Sequence, residues 1–192
     1  MTRPWQNLRQ PEADVDSSFF DRWSPRAFSA EPLTEDQLVA LFEAARWAPS
    51  CFNEQPWLFR YAVTAEERAR FATALTEKNR QWAAQAAVLL FVLTRRHYAK
   101  SGRDNRHAAF DAGAAWVSLA LQARKLGLFA HAMAGFDREA AAALLAVDLQ
   151  EYDIMAAVAI GHYGDPATLP DELRALEAPN SRKPLAEVAR QG

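Results

Sequence analysis

The chain has 192 residues, half of them hydrophobic, and its formal net charge of −2 is spread without blocks of like charge. This size and composition predict a single domain over residues 1–192 and give no indication of binding to nucleic acid or membranes. Residues 1–15 lack the apolar core of a signal peptide, and the longest apolar run, residues 86–93, is too short to cross a bilayer, so we expect a cytoplasmic protein.

The first predicted helix leads into a stiff polar turn. Thr34 and Gln37 have the spacing of a capping box, and apolar residues then recur on one helical face until Pro49. The following stretch, APSCFNEQPW (residues 48–57), places hydroxyl, thiol and amide groups between two prolines. Such a concentration of short polar groups needs an explanation beyond chain reversal.

Two strands and a second helix follow the turn. Residues 57–63 (WLFRYAV) are aromatic and apolar enough for a strand, and Thr64 with Glu67 repeats the capping-box pattern before a helix that extends to Leu75. Residues 88–94 predict another buried strand.

The second half of the chain begins with the longest predicted helix, from about residue 103 to residue 126, which Gly127 ends. One face of this helix carries Phe110, Ala114, Val117, Leu121 and Arg124. Residues 129–133 and 155–160 predict strands, separated by a short helix over residues 137–146, and Gly161 ends the last strand. These elements predict an α+β layered domain.

Residues 179–188 form a tail with two prolines and little apolar surface. Such a segment is either disordered or docked on another surface. A docked tail would suggest a partner subunit.

Metal and hydrolytic chemistry leave sequence signatures that this chain lacks. It contains no HExxH motif, no paired Cys/His pattern, no GxSxG elbow and no P-loop. The GHYGD stretch, with Gly161 and Gly164, is interpreted as a turn. The remaining metal-binding candidates are interpreted as structural or exposed histidines: His97, His107, His131 and His162. We therefore expect no metal site.

Basic residues near the two ends of the chain are candidates for anion binding. In DRWSPRAF, Arg22 and Arg26 flank Ser24, and a helical or turn-like backbone would bring all three side chains to one side. Two guanidinium groups and a hydroxyl suit a phosphate, whereas the alternative is a solvated basic face paired with nearby carboxylates. Arg182 and Lys183 could join the same site only if the tail folds back.

These motifs together resemble the nitroreductase family of FMN-dependent flavoproteins. The resemblance begins with RWSPRAF and PLTEDQLVALFEAARWAPSCFNEQPW and continues through NRQWAAQAAVLLFVL, DAGAAWVSLALQARKLGL, AGFD, AVAIGHYGD and NSRKPLAEV. It implies a three-layer α/β/α sandwich with a mostly antiparallel central sheet, and a C-terminal tail docked on the partner subunit of a homodimer.

The resemblance assigns the basic residues to the flavin. Arg22 and Ser24 match residues that hold the FMN phosphate, and Arg26 matches one that reaches toward the flavin ring. Arg182 and Lys183 match a basic C-terminal phosphate grip. Near a reduced flavin, a cation and amide donors stabilise the negative charge that develops on the ring.

The other matched residues concern the flavin ring. Asn79 resembles an asparagine at the pyrimidine edge, and Ala134 and Gly135 resemble backbone amides near N5 and O4, although many members have Glu or Gly where Ala134 stands. The polar turn resembles a wall contributed mainly by the other subunit, through Pro49, Ser50, Cys51, Asn53 and Gln55. Cys51 replaces the second serine of the commonest motif, and the alternative that it is a reactive thiol remains open.

The activity implied by the resemblance is transfer of a hydride from NADH or NADPH, through FMN, to a flat electron-poor acceptor such as a nitroaromatic or quinone, with ping-pong kinetics. Flavin N5 would carry the hydride, so no catalytic side chain is expected. Two alternatives stay open: a flavin-binding module without turnover, and a family variant that acts on enals or halogenated aromatics.

Overall fold

A four-stranded antiparallel sheet lies at the centre of the computed structural model, which describes residues 8–192. Residues 1–7, part of the stretch from which the absence of a signal peptide was predicted, lie outside the described residues. The strands are β1 (Trp57–Ala62), β2 (Val88–Arg95), β3 (Phe129–Met133) and β4 (Tyr152–Gly161). Their order is β1-β2-β4-β3, so β1 and β3 form the two edges of the sheet.

Helices cover both faces of this sheet. The helices of the described residues are α1 (Ser17–Asp21), α2 (Glu35–Arg46), α3 (Ala65–Ala72), α4 (Glu77–Ala83), α5 (Ala108–Lys125), α6 (Arg138–Leu145), α7 (Asp171–Arg174) and α8 (Leu185–Val188). Short 3₁₀ turns occupy Cys51–Asn53 and Pro166–Thr168. Within residues 8–192, none of the helices has the combined length and apolarity needed to cross a membrane.

The alternation of side chains along β2 explains the two layers of helices. Leu89 and Phe91 point to one face and join a buried cluster with residues of α3, α4 and α6, whereas Val88 and Leu90 point to the other and pack with α2 and α5. All four of these side chains are at most 2% exposed. The predicted α+β fold, a three-layer α/β/α sandwich around an antiparallel sheet, is therefore confirmed.

The local start and stop signals behave as predicted. The Thr34 hydroxyl accepts from the Gln37 N–H at 3.1 Å, and the Gln37 side chain accepts from the Thr34 N–H at 2.9 Å, which completes the capping box of α2. Thr64 and Glu67 form the same arrangement at α3. Gly127, with φ of 77°, follows the end of α5.

Some boundaries differ from the prediction. Helix α5 begins at Ala108 rather than near residue 103, because Asp104 pairs with His97 in an isolated β-bridge and the Asn105 N–H donates to the Arg96 carbonyl. Helix α3 ends at Ala72, and only single turns continue to Leu75. Helices α1, α4, α7 and α8 were not predicted, because each is short.

The part of α5 that carries Phe110 and Val117 is turned away from the sheet. Small residues, including Ala112 and Ala115, pack against the sheet, while Phe110 is 81% exposed and Val117 is 42% exposed. Alanines allow the helix axis to approach the sheet closely, and the bulkier side chains are left on the outer face. Trp47, directly after α2, is likewise 74% exposed.

Gly164 does not lie in the predicted turn. The chain there is extended, with Tyr163 bridged to Phe28, and the Gly164 N–H donates to the Ala27 carbonyl at 2.9 Å. A Cβ at Gly164 would lie 2.6 Å from the Phe28 carbonyl carbon, so only glycine permits this close approach. This contact fixes the end of the Arg22–Arg26 segment (residues 22–26) near the C-terminal end of β4.

Candidate functional site

The Arg22–Arg26 segment leaves helix α1 in an extended conformation. Its burial alternates: Trp23 and Pro25 are buried, whereas Arg22, Ser24 and Arg26 are partly exposed. The alternating burial puts Arg22, Ser24 and Arg26 on the more exposed side of the segment, although the backbone is not helical and bends at Arg26. The Trp23 ring, 2% exposed, packs on the other side against Phe129 of β3 at a centroid distance of 6.0 Å.

Two distant residues bind the backbone of this segment. Nδ1 of His131, on β3, lies 2.7 Å from the Pro25 carbonyl oxygen. The Glu177 carboxylate accepts from the Arg26 N–H, at 2.9 and 3.0 Å, and from the Ala27 N–H, at 2.8 Å. The segment is therefore held both by the sheet and by the C-terminal part of the chain.

Three guanidinium groups gather beside the segment. Burial lowers the pKa of Arg22, and the neighbouring Arg182 lowers it further. Burial likewise lowers the pKa of Arg9, with additional effects from Arg182 and Arg22. The positive charges of Arg9, Arg22 and Arg182 repel one another, and an anion bound among them would be stabilised.

The tail folds back onto the N-terminal part of its own chain. Arg9 Nε donates to the Asn180 carbonyl at 2.6 Å, and the Leu185 N–H donates to Glu12 Oε1 at 2.9 Å. A cavity of about 610 Å³ lies between the two segments, and its basic lining residues are Arg9, Arg182 and Lys183. The tail therefore folds back within one chain, as a joint anion site of Arg182 and Lys183 with the N-terminal arginines requires. Docking of the tail on a partner subunit stays a prediction.

Asn79 and Gly135, predicted at the flavin ring, are in direct contact. Asn79 Nδ2 donates to the Gly135 carbonyl at 2.9 Å, and the Thr76 N–H donates to the same oxygen at 3.1 Å. A Cβ at Gly135 would lie 2.5 Å from Asn79 Nδ2, so the absence of a side chain leaves room for this amide. Ala134 is exposed beside them, immediately after β3.

The polar turn has a strained backbone that hydrogen bonds hold in place. Phe52, Asn53 and Gln55 have φ values of 54°, 57° and 49°, a region that residues other than glycine seldom adopt. The Ser50 hydroxyl accepts from the Gln55 N–H at 3.0 Å, and buried Asp111 of α5 accepts from the Cys51 N–H at 3.1 Å. Pro49, Asn53 and Gln55 are exposed, whereas Ser50 and Cys51 are half-buried.

The Cys51 thiol lies 3.7 Å from the Tyr98 hydroxyl. The hydrogen bond with Cys51 is the main cause that raises the pKa of Tyr98, and burial raises it further.

The predicted site residues therefore form two separate groups. The Arg22–Arg26 segment and Gly135 border β3, while the turn leads directly into β1 at the opposite edge of the sheet. Three strand spacings of roughly 4.8 Å separate these edges by about 14 Å. Among residues 8–192, no hydrogen bond, ion pair or ring contact joins the turn to the Arg22–Arg26 segment.

Sequence reasoning missed three residues that organise these groups: His131, Glu177 and Asp111. His131 carried one signal, since it is a polar residue in the apolar strand FAHAM. No sequence pattern indicated Glu177 or Asp111, because their hydrogen-bond partners lie 151 and 60 residues away in the chain. Within the described part of the chain, no group of three or more His, Cys, Asp or Glu residues has an arrangement that could hold a metal ion.

Comparison with known families and proteins gives consistent matches. The model of the Nitroreductase family matches residues 20–81 and 69–162, well over half of the chain. An uncharacterised 15.4 kDa protein from the ask 5′ region of Mycolicibacterium smegmatis is 36% identical over 135 residues, which cover 68% of this chain and 87% of that protein.

Solved structures share the fold over nearly the whole chain. The crystal structure of an oxidoreductase containing FMN is 43% identical, with a TM-score of 0.92, and the match covers 100% of this chain and 98% of that one. An FMN complex from Desulfovibrio desulfuricans, of a protein assigned to the nitroreductases, is 26% identical with a TM-score of 0.71, covering 92% and 95%.

Acid should destabilise the protein through His131. Burial lowers the pKa of His131 to about 4, from an ordinary value of 6.5, with smaller contributions from Arg26 and Arg22. The unfolded chain therefore takes up the proton first, and the free energy of unfolding should fall as the pH drops from about 6.5 to about 4. We expect wild type to lose about 2–3 kcal/mol more than His131→Asn over this range in urea titrations. A stability difference that stays constant with pH would contradict this assignment.

Proposed function

This chain belongs to the nitroreductase family, and from that premise we propose that it is an FMN-dependent oxidoreductase that transfers hydride from NADH or NADPH to a flat electron-poor acceptor. The observation that carries the proposal is the shared side of Arg22, Ser24 and Arg26, with Arg182 close to Arg22. The fold neighbour at 43% identity contains FMN.

The donor set fits the phosphate of FMN. Guanidinium groups bind phosphate oxygens through paired N–H donors, and a serine hydroxyl can donate another hydrogen bond. Arg22, Ser24, Arg182 and Lys183 would hold the phosphate, which would also relieve the repulsion between Arg22 and Arg182. A solvated basic face would keep Arg22 in water, whereas burial is the largest cause of the lowered pKa of Arg22.

The residues around Gly135 would contact the ring of the cofactor. Gly135 and Ala134 follow β3, the strand whose His131 contacts the Arg22–Arg26 segment, so both groups border the same edge of the sheet. Asn79 is oriented by its hydrogen bond to Gly135 and would present its amide to the pyrimidine edge. Arg26 would supply positive charge near the ring.

When bound, FMN supplies the redox chemistry, because it accepts a hydride from the nicotinamide and passes it to the acceptor. The residues of the chain bind and orient this cofactor, and none is required as a general acid or nucleophile. Donor and acceptor would use the same open face of the ring in turn, which predicts ping-pong kinetics.

Two observations support a homodimer with shared sites. The turn with Ser50, Cys51 and Gln55 leads into the sheet edge opposite to the Arg22–Arg26 segment, and a second copy could bring its own turn to that segment. Helix α5 also exposes Phe110 and Val117 on its outer face, which suits packing against another subunit. Pro49 and Asn53, exposed in the same turn, would belong to this second wall.

The main experiment is a spectrum of the purified protein with added FMN, followed by anaerobic addition of NADH and then NADPH. We expect a flavin spectrum that bleaches within seconds with at least one nucleotide. Parallel lines in double-reciprocal plots against donor and acceptor should then show ping-pong kinetics, whereas intersecting lines would contradict it. Bound FMN that no nucleotide reduces would favour a flavin-binding module, and a screen with enals and halogenated aromatics would test the other acceptors.

Arg22→Ala should weaken FMN binding by about 1.5–3 kcal/mol, the usual effect of losing a hydrogen bond to a charged group. The dissociation constant can be measured by quenching of flavin fluorescence. Arg60→Ala, on an exposed arginine of β1, is the matched control and should bind FMN as wild type does. An Arg22→Ala variant with unchanged affinity would place the phosphate elsewhere.

Val117→Glu should weaken dimerisation, because burying an unpaired charge costs several kcal/mol. We expect the dimer dissociation constant, measured by sedimentation equilibrium, to rise at least about tenfold. Val63→Glu, at a residue 40% exposed compared with 42% for Val117, is the matched control. If the Val117→Glu protein remains an equally tight dimer, the outer face of α5 is not the interface.

A further inference from the structure

One peptide unit, Pro25–Arg26, is bound at both of its polar groups. Its carbonyl oxygen lies 2.7 Å from His131 Nδ1, and its N–H donates to both oxygens of Glu177, at 2.9 and 3.0 Å. The described residues contain no cis peptide bond, so the carbonyl and the N–H point in opposite directions. His131 and Glu177 therefore hold the same peptide plane from its two sides.

His131 is itself fixed in one orientation. Its ring packs against Trp82 of α4 at a centroid distance of 4.5 Å and an interplanar angle of 35°, and Trp82 is 2% exposed. A carbonyl oxygen only accepts hydrogen bonds, so Nδ1 must carry the proton and donate to Pro25. The sheet thus presents a rigid donor to the Arg22–Arg26 segment.

Glu177 supplies the opposing acceptor. In addition to Arg26, the Ala27 N–H donates to its carboxylate at 2.8 Å, so two successive peptides are bound. Hydrogen bonds from backbone N–H groups to a carboxylate are stronger than those between neutral groups. The carboxylate is partly buried, which limits competition from water.

We propose that His131 and Glu177 are positioning residues that hold Ser24 and Arg26 in the arrangement that receives FMN. Ser24 and Arg26 lie on either side of Pro25, so a fixed Pro25–Arg26 peptide restricts the directions of both side chains. A site ordered before the ligand arrives loses less conformational freedom on binding. This inference rests on the proposed function and adds two residues that do not themselves touch the cofactor.

The test compares FMN dissociation constants of full-length variants, measured on apoprotein by fluorescence quenching. His131→Leu removes the donor at similar size and should raise the constant about tenfold, as expected for one hydrogen bond. His131→Asn keeps an N–H donor near the position of Nδ1 and should stay within about threefold of wild type. Glu177→Ala should also raise the constant about tenfold.

Matched controls separate positioning from general loss of structure. His162→Leu and Glu172→Ala change the same residue types away from the Pro25–Arg26 peptide, and both should bind FMN as wild type does. In a Ser24→Ala, Arg26→Ala background, adding His131→Leu should change the constant less than about twofold, because the groups to be positioned are gone.

Each outcome has one meaning. Wild-type affinity in both His131→Leu and Glu177→Ala overturns this inference and leaves the proposed function intact. Equal weakening of FMN binding by His131→Leu and His131→Asn also overturns it, because the hydrogen bond from residue 131 would not matter. A tenfold effect of His131→Leu on the FMN dissociation constant in the Ser24→Ala, Arg26→Ala background overturns it too, because the hydrogen bond would not act through those side chains. A wild-type chain that takes up no FMN overturns both the inference and the proposed function.

Discussion

Burial of both faces of strands β2 and β4 is the constraint on which the rest of the structure depends. Side chains that alternate between two apolar layers require helices above and below the sheet, so only the edges, β1 and β3, remain for other contacts. The Arg22–Arg26 segment borders one edge and the polar turn leads into the other. The separation of the two halves of the candidate site follows directly from how the core is built.

Local signals made much of this fold predictable from the sequence. Thr34 and Thr64 begin their helices through contacts within four residues, and the central strands are continuous apolar runs. The orientation of α5 was not predictable from periodicity, because its alanines pack inward and Phe110 and Val117 face outward. Amphipathic patterns assume that the larger apolar residues are buried against the sheet, whereas α5 buries its alanines there instead.

The candidate site shows the same division between local and long-range information. Residues that would touch the cofactor, such as Arg22 and Ser24, lie in a short motif with recognisable spacing. Residues that hold the motif, His131 and Glu177, lie 106 and 151 residues from their partners, and no pattern along the chain connects them. Only the register of β3 beside β4, and the path of the segment after α7, bring them to the Pro25–Arg26 peptide.

The distance in sequence between Arg26 and Glu177 has a consequence for biosynthesis. During translation, the Arg22–Arg26 segment is synthesised early, whereas Glu177, which binds it, is synthesised about 150 residues later. On the ribosome, the nascent segment therefore lacks both holding contacts until β3 emerges, and it still lacks the Glu177 contact when β4 is complete. A chain interrupted before Glu177 could complete all four strands and still leave this segment bound on one side only.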